Sequence, residues 1–276
     1  MSIAIVTDST CDIPQNLIRK YDIHVVPNIL VINDRSIEDN EGFSRERFYT
    51  ELPEMEPLPT TSTASSGAFG AVYEDVLHEP VTKVISIHAA SLLSGIYNAA
   101  SLAAQAFGNH VQVIDSQQVS LGLGFQVLAA AEAMTEGLPL EEILQRVEEV
   151  RQRVRFVAML DTLEYLRRSG RVSWARASLI SLLQIKPFIE LRDGVVHRRG
   201  EVRTRKQGIN RLLEMLWGLY PWERLAILHS NAEADARQLL EDLHPDMPTQ
   251  PLIVNVTTII GTHVGPNGLG FVAVVK

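Results

Sequence analysis

Apolar residues run without a break through IAIV at positions 3–6 and stop at TDST. An unbroken run of that length suits a strand buried on both faces, as in a parallel sheet. KVISIHA (83–89) and HVQVIDS (110–116) have the same form, and IHVVPNILVI (23–32) is strand material with Pro27 at an edge or bend. Helical stretches are expected between them. They cover IPQNLIRKY (13–21) with Asp12 as cap and Pro14 in its first turn, and FSRERFYTEL (43–52) with Ser44 as cap. Others start near Ser65 or Ser66, follow Ser94, and run over 124–137 to end at Gly137. In LPLEEILQRVEEVRQRV (138–154) the apolar positions 140, 143, 144, 147, 150 and 154 share one helical face. Residues 53–66, rich in Pro, Ser and Thr, read as a loop. Alternation of this kind implies a mostly parallel sheet with helices on both sides, and ligands bind such sheets beyond the carboxyl ends of the strands. The loops 8–12, 88–94 and 115–120 should gather there, joined by 59–66.

The second half has a different rhythm. RFVAMLDTLEYLRRSGRVSW (155–174) reads as a strand, a short helix and a turn at Gly170. KPFIELRDGVVHRRGEVRT (186–204) sets a DG pair between alternating arms, a strong hairpin signal. Helices are expected over 206–220 and 232–244, with a strand at 224–230 between them. The last segment, 251–275, reads as two strands around a glycine- and histidine-bearing loop. The fold expected is α/β with two domains: an N-terminal mostly parallel sheet with flanking helices, then an α+β domain with a mixed, largely antiparallel sheet. The boundary should fall near residue 153.

Charge supports the division. Residues 1–150 carry a net −14 and residues 151–276 a net +6, within a total of −8 over 276 residues. The acidic half argues against general nucleic-acid binding. No apolar run approaches the ~20 residues of a membrane helix, and the N-terminus lacks the pattern of a signal peptide. With Cys11 the single cysteine, no internal disulfide can form, and a reducing cytoplasm is the expected location.

The candidate chemistry is polar and largely uncharged. Ser94 and Gly95 stand ahead of an alanine-rich helix, whose first-turn N–H groups attract anions. The hydroxyls of TTSTASS (60–66) add donors with no basic residue among them. That combination suits a carboxylate or a single phosphate better than a polyphosphate. The chain carries neither a Walker-type loop nor GxGxxG after its first strand, which argues against ATP and dinucleotides. His263, in GTHVGPNGLG, could donate to an anion, act as a base or cap a turn, whereas His88 reads as a packed histidine. No histidine or cysteine pair has metal-ligand spacing. Ser94 with His263 also raises an acyl-ester hydrolase, with Asp8 or Asp115 to orient the base, although both carboxylates equally suit strand-end capping and the G-x-S-x-G elbow is absent. Arg198, Arg199, Arg203, Arg205 and Lys206 form the densest basic run, and a non-lipid interaction protein that docks through it is the third reading.

The segments VTDSTCDIP, TTSTASSGAF, LLSGIYNAA, VIDSQQVSLGLG, LEYLRRSGRVS, KPFIELRDG and GTHVGPNGLG follow one another along the whole chain. In that order they resemble the DegV family. The resemblance implies domains at 1–152 and 153–276 with a long-chain fatty acid, such as palmitate or oleate, held between them. It implies a carrier rather than an enzyme, with no cofactor besides the bound acid. Its partner would be a separate fatty-acid kinase, which supplies the ATP site and phosphorylates the carboxylate for lipid metabolism. Neither nucleic-acid binding nor stable membrane insertion is implied, and a monomer is the default. The family's carboxylate contacts carry over onto Thr61, Ser62, Ser94 with the Gly95 N–H, and His263. Arg171 resembles the arginine of the family's GGR-type turn, and Arg203 matches a basic position implicated in kinase docking. The family's TSQPS reads TSTAS here, with Ala64 for proline, SGTYQSA reads SGIYNAA, with Ile96 for threonine, and GPG reads GPN, with Asn267 tolerating a left-handed backbone.

Overall fold

The computed structural model describes residues 2–39, 43–78, 80–177, 185–243 and 250–276. Its first elements are β1 (Ser2–Asp8), α1 (Gln15–Lys20), β2 (Ile23–Val26), β3 (Ile29–Ile32), β4 (Arg35–Glu38), α2 (Arg45–Glu51), β5 (Thr60–Ser62) and α3 (Ser66–Val76). There follow β6 (Val81–His88), α4 (Ile96–Ala104), β7 (Val111–Asp115), α5 (Leu121–Thr135) and α6 (Leu140–Arg153). The remainder is β8 (Val154–Met159), α7 (Glu164–Ser169), α8 (Ser173–Ala177), β9 (Lys186–Arg192), β10 (Val195–Val202), α9 (Arg205–Trp217), β11 (Trp222–His229), α10 (Glu233–Glu241), β12 (Leu252–Asn255), α11 (Thr258–Val264) and β13 (Leu269–Val275). Among the described residues no helix is long and apolar enough to cross a membrane. His244, the expected end of one helix, lies outside the described residues.

The chain divides into two compact units, residues 1–29 with 62–152, and residues 30–61 with 153–276. Residues 30–61 therefore depart from the single boundary expected near 153. Their partners explain why. β3 and β4 form a three-stranded sheet with β5. From α2, the fully buried Tyr49 donates its hydroxyl to the carbonyls of Val256 and Thr257 at 3.0 and 3.3 Å. β5 itself occupies part of the stretch read as loop, because Thr60–Ser62 pair at the edge of this small sheet.

In the first unit the sheet order is β2-β1-β6-β7 and every pairing is parallel. Ile3 to Val6 of β1 are all buried, as the unbroken apolar run implies. α5 packs against β1 and β6 and is buried nearly all round, from Leu121 through Ala131, which is the mark of a core helix. Ser44 and Ser65 cap α2 and α3 by accepting from Arg47 N and Ala68 N at 3.2 and 3.1 Å. Asp12 does not cap α1. It takes φ 54 after a short 3-10 turn, and its carboxylate accepts from Ser120 Oγ at 2.6 Å.

In the second unit the main sheet runs β10-β9-β8-β13-β11-β12, antiparallel except for the β11–β12 pair. Asp193 and Gly194, at φ 53 and 75, make the two-residue turn between β9 and β10. Both central residues at positive φ match the twist of a tight hairpin. Met159, Phe188, Leu212, Leu216, Trp222, Ile227 and Phe271 form the core between this sheet and the helices α9 and α10.

Candidate functional site

The carboxyl ends of β1, β6 and β7 converge, as strand polarity requires. His88 O accepts from Ser116 N at 3.0 Å, and Gln118 O from Ala90 N at 2.9 Å. Asp115 closes its own strand end, accepting from Ser91 Oγ at 2.5 Å and from Gln117 N at 2.9 Å. The 62–65 segment reaches the same edge. A Cβ on Gly95 would lie 3.7 Å from the Thr63 methyl. Ala64, in the place of the family motif's proline, is buried, and its N–H, which a proline lacks, donates to Asn28 Oδ1 at 3.4 Å. Ser62 is exposed and Ser94 half-buried at this edge. Gly95 is the residue that caps α4 by its backbone, one later than expected, while Ser94 Oγ accepts from Ile96 N at 3.4 Å. The edge thus presents hydroxyls and first-turn N–H groups, a donor set for an anion.

Beneath it runs a polar chain whose members no sequence spacing links. His88 is fully buried, with Nδ1 3.0 Å from Asp8 Oδ2 and Nε2 2.6 Å from Ser86 Oγ. Ser86 Oγ is in turn 2.8 Å from the Tyr73 hydroxyl. Burial pushes that phenol up to about 12. Asp, His and Ser in this sequence of contacts have the connectivity of a nucleophilic triad. All three are 0% exposed and the serine already faces a tyrosine, so the arrangement braces the strand ends.

In the second unit, Thr61 and His263 meet. Thr61 Oγ1 lies 2.9 Å from His263 Nε2. His263 is half-buried on α11, a helix, and not in the glycine loop expected there. Thr257 caps that helix, accepting from Ile260 N at 3.4 Å, and it ends at Gly265 with φ 77. The glycine inside it has a packing reason: a Cβ on Gly261 would fall 2.4 Å from the Tyr49 hydroxyl. Burial, and then the Arg171 charge, lower the His263 pKa to about 4. The ring is therefore neutral at pH 7. With the proton on Nε2 it can donate to Thr61 Oγ1 and leave that hydroxyl free to donate onward.

The unfolded imidazole takes a proton near 6.5 and the folded one only near 4. The contribution to stability is complete above pH 6.5 and is lost as the pH falls toward 4. We expect the His263 C2–H resonance to titrate near pH 4, and His263→Gln to flatten the fall in melting temperature over that window. A midpoint near 6.5 would contradict this environment.

Arg171 follows the Gly170 turn at φ 70, is exposed, and donates to Ser169 O at 2.7 Å. Arg203 is exposed as well. Much of the basic run around it is compensated locally: Arg198 pairs with Glu201, Arg199 with Glu190 at 3.1 Å, and Arg205 with Asp235. Asn267 takes φ 60, the left-handed backbone its side chain tolerates. No group of three His, Cys, Asp or Glu among the described residues is arranged to hold a metal.

A parallel four-stranded α/β unit with a hydroxyl-lined strand edge, joined in one chain to a unit built on a mixed six-stranded sheet, defines a two-unit α/β protein. The chain belongs to the DegV family: the model of that family, described as an uncharacterised protein family, matches residues 2–276. Protein DegV of Bacillus subtilis (strain 168) is 35% identical over 278 residues, covering 98% of both chains. Two solved structures are similar over 100% of both chains, each at 34% identity. One concerns fatty acid binding of a DegV family protein from Thermus thermophilus, with a TM-score of 0.92. The other is DegV, a fatty acid binding protein from Bacillus subtilis, with a TM-score of 0.87.

Proposed function

We propose that this chain binds a long-chain fatty acid, such as palmitate or oleate, and presents its carboxylate to a separate fatty-acid kinase. The observation that carries the reading is the donor set: neutral hydroxyls and helix N–H groups, with a neutral histidine behind one hydroxyl. Thr61, Ser62 and Ser94 donate to the carboxylate together with the Gly95 N–H. His263 orients the Thr61 hydroxyl, and Arg171 lends positive charge at the head-group mouth. The fatty acid binding described for the Thermus thermophilus and Bacillus subtilis relatives supports the same ligand class.

Magnitudes divide the work. At about 0.8 kcal/mol per buried CH₂, a sixteen-carbon chain supplies roughly 11 kcal/mol gross. Hydrogen bonds to a charged acceptor supply about 1.5–3 kcal/mol each. The chain therefore sets affinity, and the hydroxyls select an acid over an ester. In this reading the protein is a carrier, and transfer of the phosphoryl group belongs to the kinase.

Titration of delipidated protein with palmitate, read by displacement of a fluorescent fatty acid, tests the binding step. Saturable one-to-one displacement is expected, and its absence would sink the reading. Arg203→Glu should leave that curve unchanged and lower the rate at which a fatty-acid kinase phosphorylates the bound acid. An unchanged rate would place kinase docking elsewhere.

A further inference from the structure

The two hydroxyl-bearing loops of the first unit hang from one carboxylate. Asp8 ends β1 and is fully buried. Its Oδ2 accepts from Ala89 N at 3.1 Å and contacts His88 Nδ1 at 3.0 Å. Ala89 opens the loop that carries Ser94, whose N–H bonds Ala90 O at 3.1 Å. Its Oδ1 accepts from Thr10 N at 3.0 Å, Thr10 Oγ1 at 2.5 Å and Asn28 Nδ2 at 3.2 Å. Asn28 is itself 1% exposed and passes the restraint on, since its Oδ1 accepts from Ala64 N at 3.4 Å. Ala64 follows Thr63 and Ser62. Ser9 Oγ holds the Asn28 backbone, accepting from its N–H at 3.1 Å.

Burying a carboxylate is costly unless its lone pairs are filled, and here five donors fill them. His88 and the other donors hold the Asp8 carboxyl below the usual range against the opposing effect of burial. The group is thus a fixed anion with rigid geometry. One oxygen holds the start of the Ala89–Gly95 loop directly, and the other holds Asn28, which in turn holds Ala64.

We propose that Asp8 and Asn28 are positioning residues: together they set the spacing between the Ser62–Ala64 segment and the Ala89–Gly95 loop, and so determine how strongly the protein prefers a carboxylate to a neutral head group. This rests on the fatty-acid reading given above. It assigns neither residue a contact with the ligand. A purely structural role would change stability and weaken every ligand alike, whereas positioning changes the ratio between an acid and its ester.

The test compares affinities for palmitate and methyl palmitate in the whole protein, in wild type, Asn28→Ala and Asp8→Asn. Wild type should prefer the acid. Asn28→Ala should reduce that preference by about tenfold, the effect of one displaced hydroxyl no longer reaching the carboxylate, while the ester's affinity stays within about twofold. A folded Asn28→Ala with the wild-type ratio would overturn the proposal. Should neither variant fold, the wild-type amide spectrum decides. The Ala64 and Ala89 N–H resonances should move on binding palmitate and stay in place with the methyl ester. Their immobility while the Ser94 resonance moves would equally overturn it. Wild type that binds neither lipid would fail the fatty-acid reading itself, a result distinct from binding with an unaltered ratio.

Discussion

Gly265→Ala is expected to destabilise the second unit by about 3 kcal/mol, the sum of a backbone and a packing penalty. Gly265 sits at φ 77 and ψ 178, a region essentially reserved for glycine. A Cβ there would lie 2.2 Å from Tyr165 Cδ2 and 2.6 Å from Cε2. That ring is 9% exposed on α7, so it has little room to retreat. Gly170 provides the comparison. It also has positive φ, 70, but an added Cβ meets nothing within 4 Å, and Gly170→Ala should cost only about 1 kcal/mol. Urea denaturation of both variants separates the two penalties. Because Gly265 lies two residues after His263, its replacement should also shift the His263 resonance. Equal losses for the two variants would show that the Tyr165 contact carries no weight.

The second large effect is on ligand affinity. The double variant Thr61→Val with Ser94→Ala should bind palmitate more weakly by at least about a hundredfold, since each hydroxyl lost from a charged acceptor costs about 1.5–3 kcal/mol. Valine keeps the shape of threonine, which leaves the methyl of Thr61 in place while removing the partner of His263. Methyl palmitate should lose less than about fivefold, because the acyl chain keeps its burial. Displacement assays with both lipids read this directly. A variant that binds palmitate as wild type does would remove these hydroxyls from the head-group site.

Much of this architecture is legible in the sequence because its strands are unbroken apolar runs and its turns carry unambiguous residues. IAIV, KVISIH and VQVID become the parallel strands expected, and Asp193-Gly194 the expected hairpin turn. What escapes the pattern is whatever depends on distant partners. Residues 30–61 look like a continuation of the first domain, and only Tyr49 meeting Val256 and Gly261 shows why they belong to the other unit. Gly261 and the β-branched residues beside it disguise α11 as a loop. The helix forms because Thr257 caps it and Gly261 admits Tyr49 against it.

The site shows the same division. Ser94 and Gly95 are visible as a strand-to-helix junction, and the hydroxyl loop stands out by composition. The Asp8–His88–Ser86–Tyr73 chain is invisible, because a buried polar residue within an apolar run looks like an interruption until its partner is found 80 residues away. The pairing of Thr61 with His263, 202 residues apart, is likewise a product of folding.

Native mass spectrometry of freshly purified protein, followed by extraction and identification of whatever is bound, shows whether the protein holds a fatty acid. A one-to-one adduct with the mass of a long-chain fatty acid is expected. A clean apo mass, unchanged after incubation with palmitate and with oleate, would contradict it.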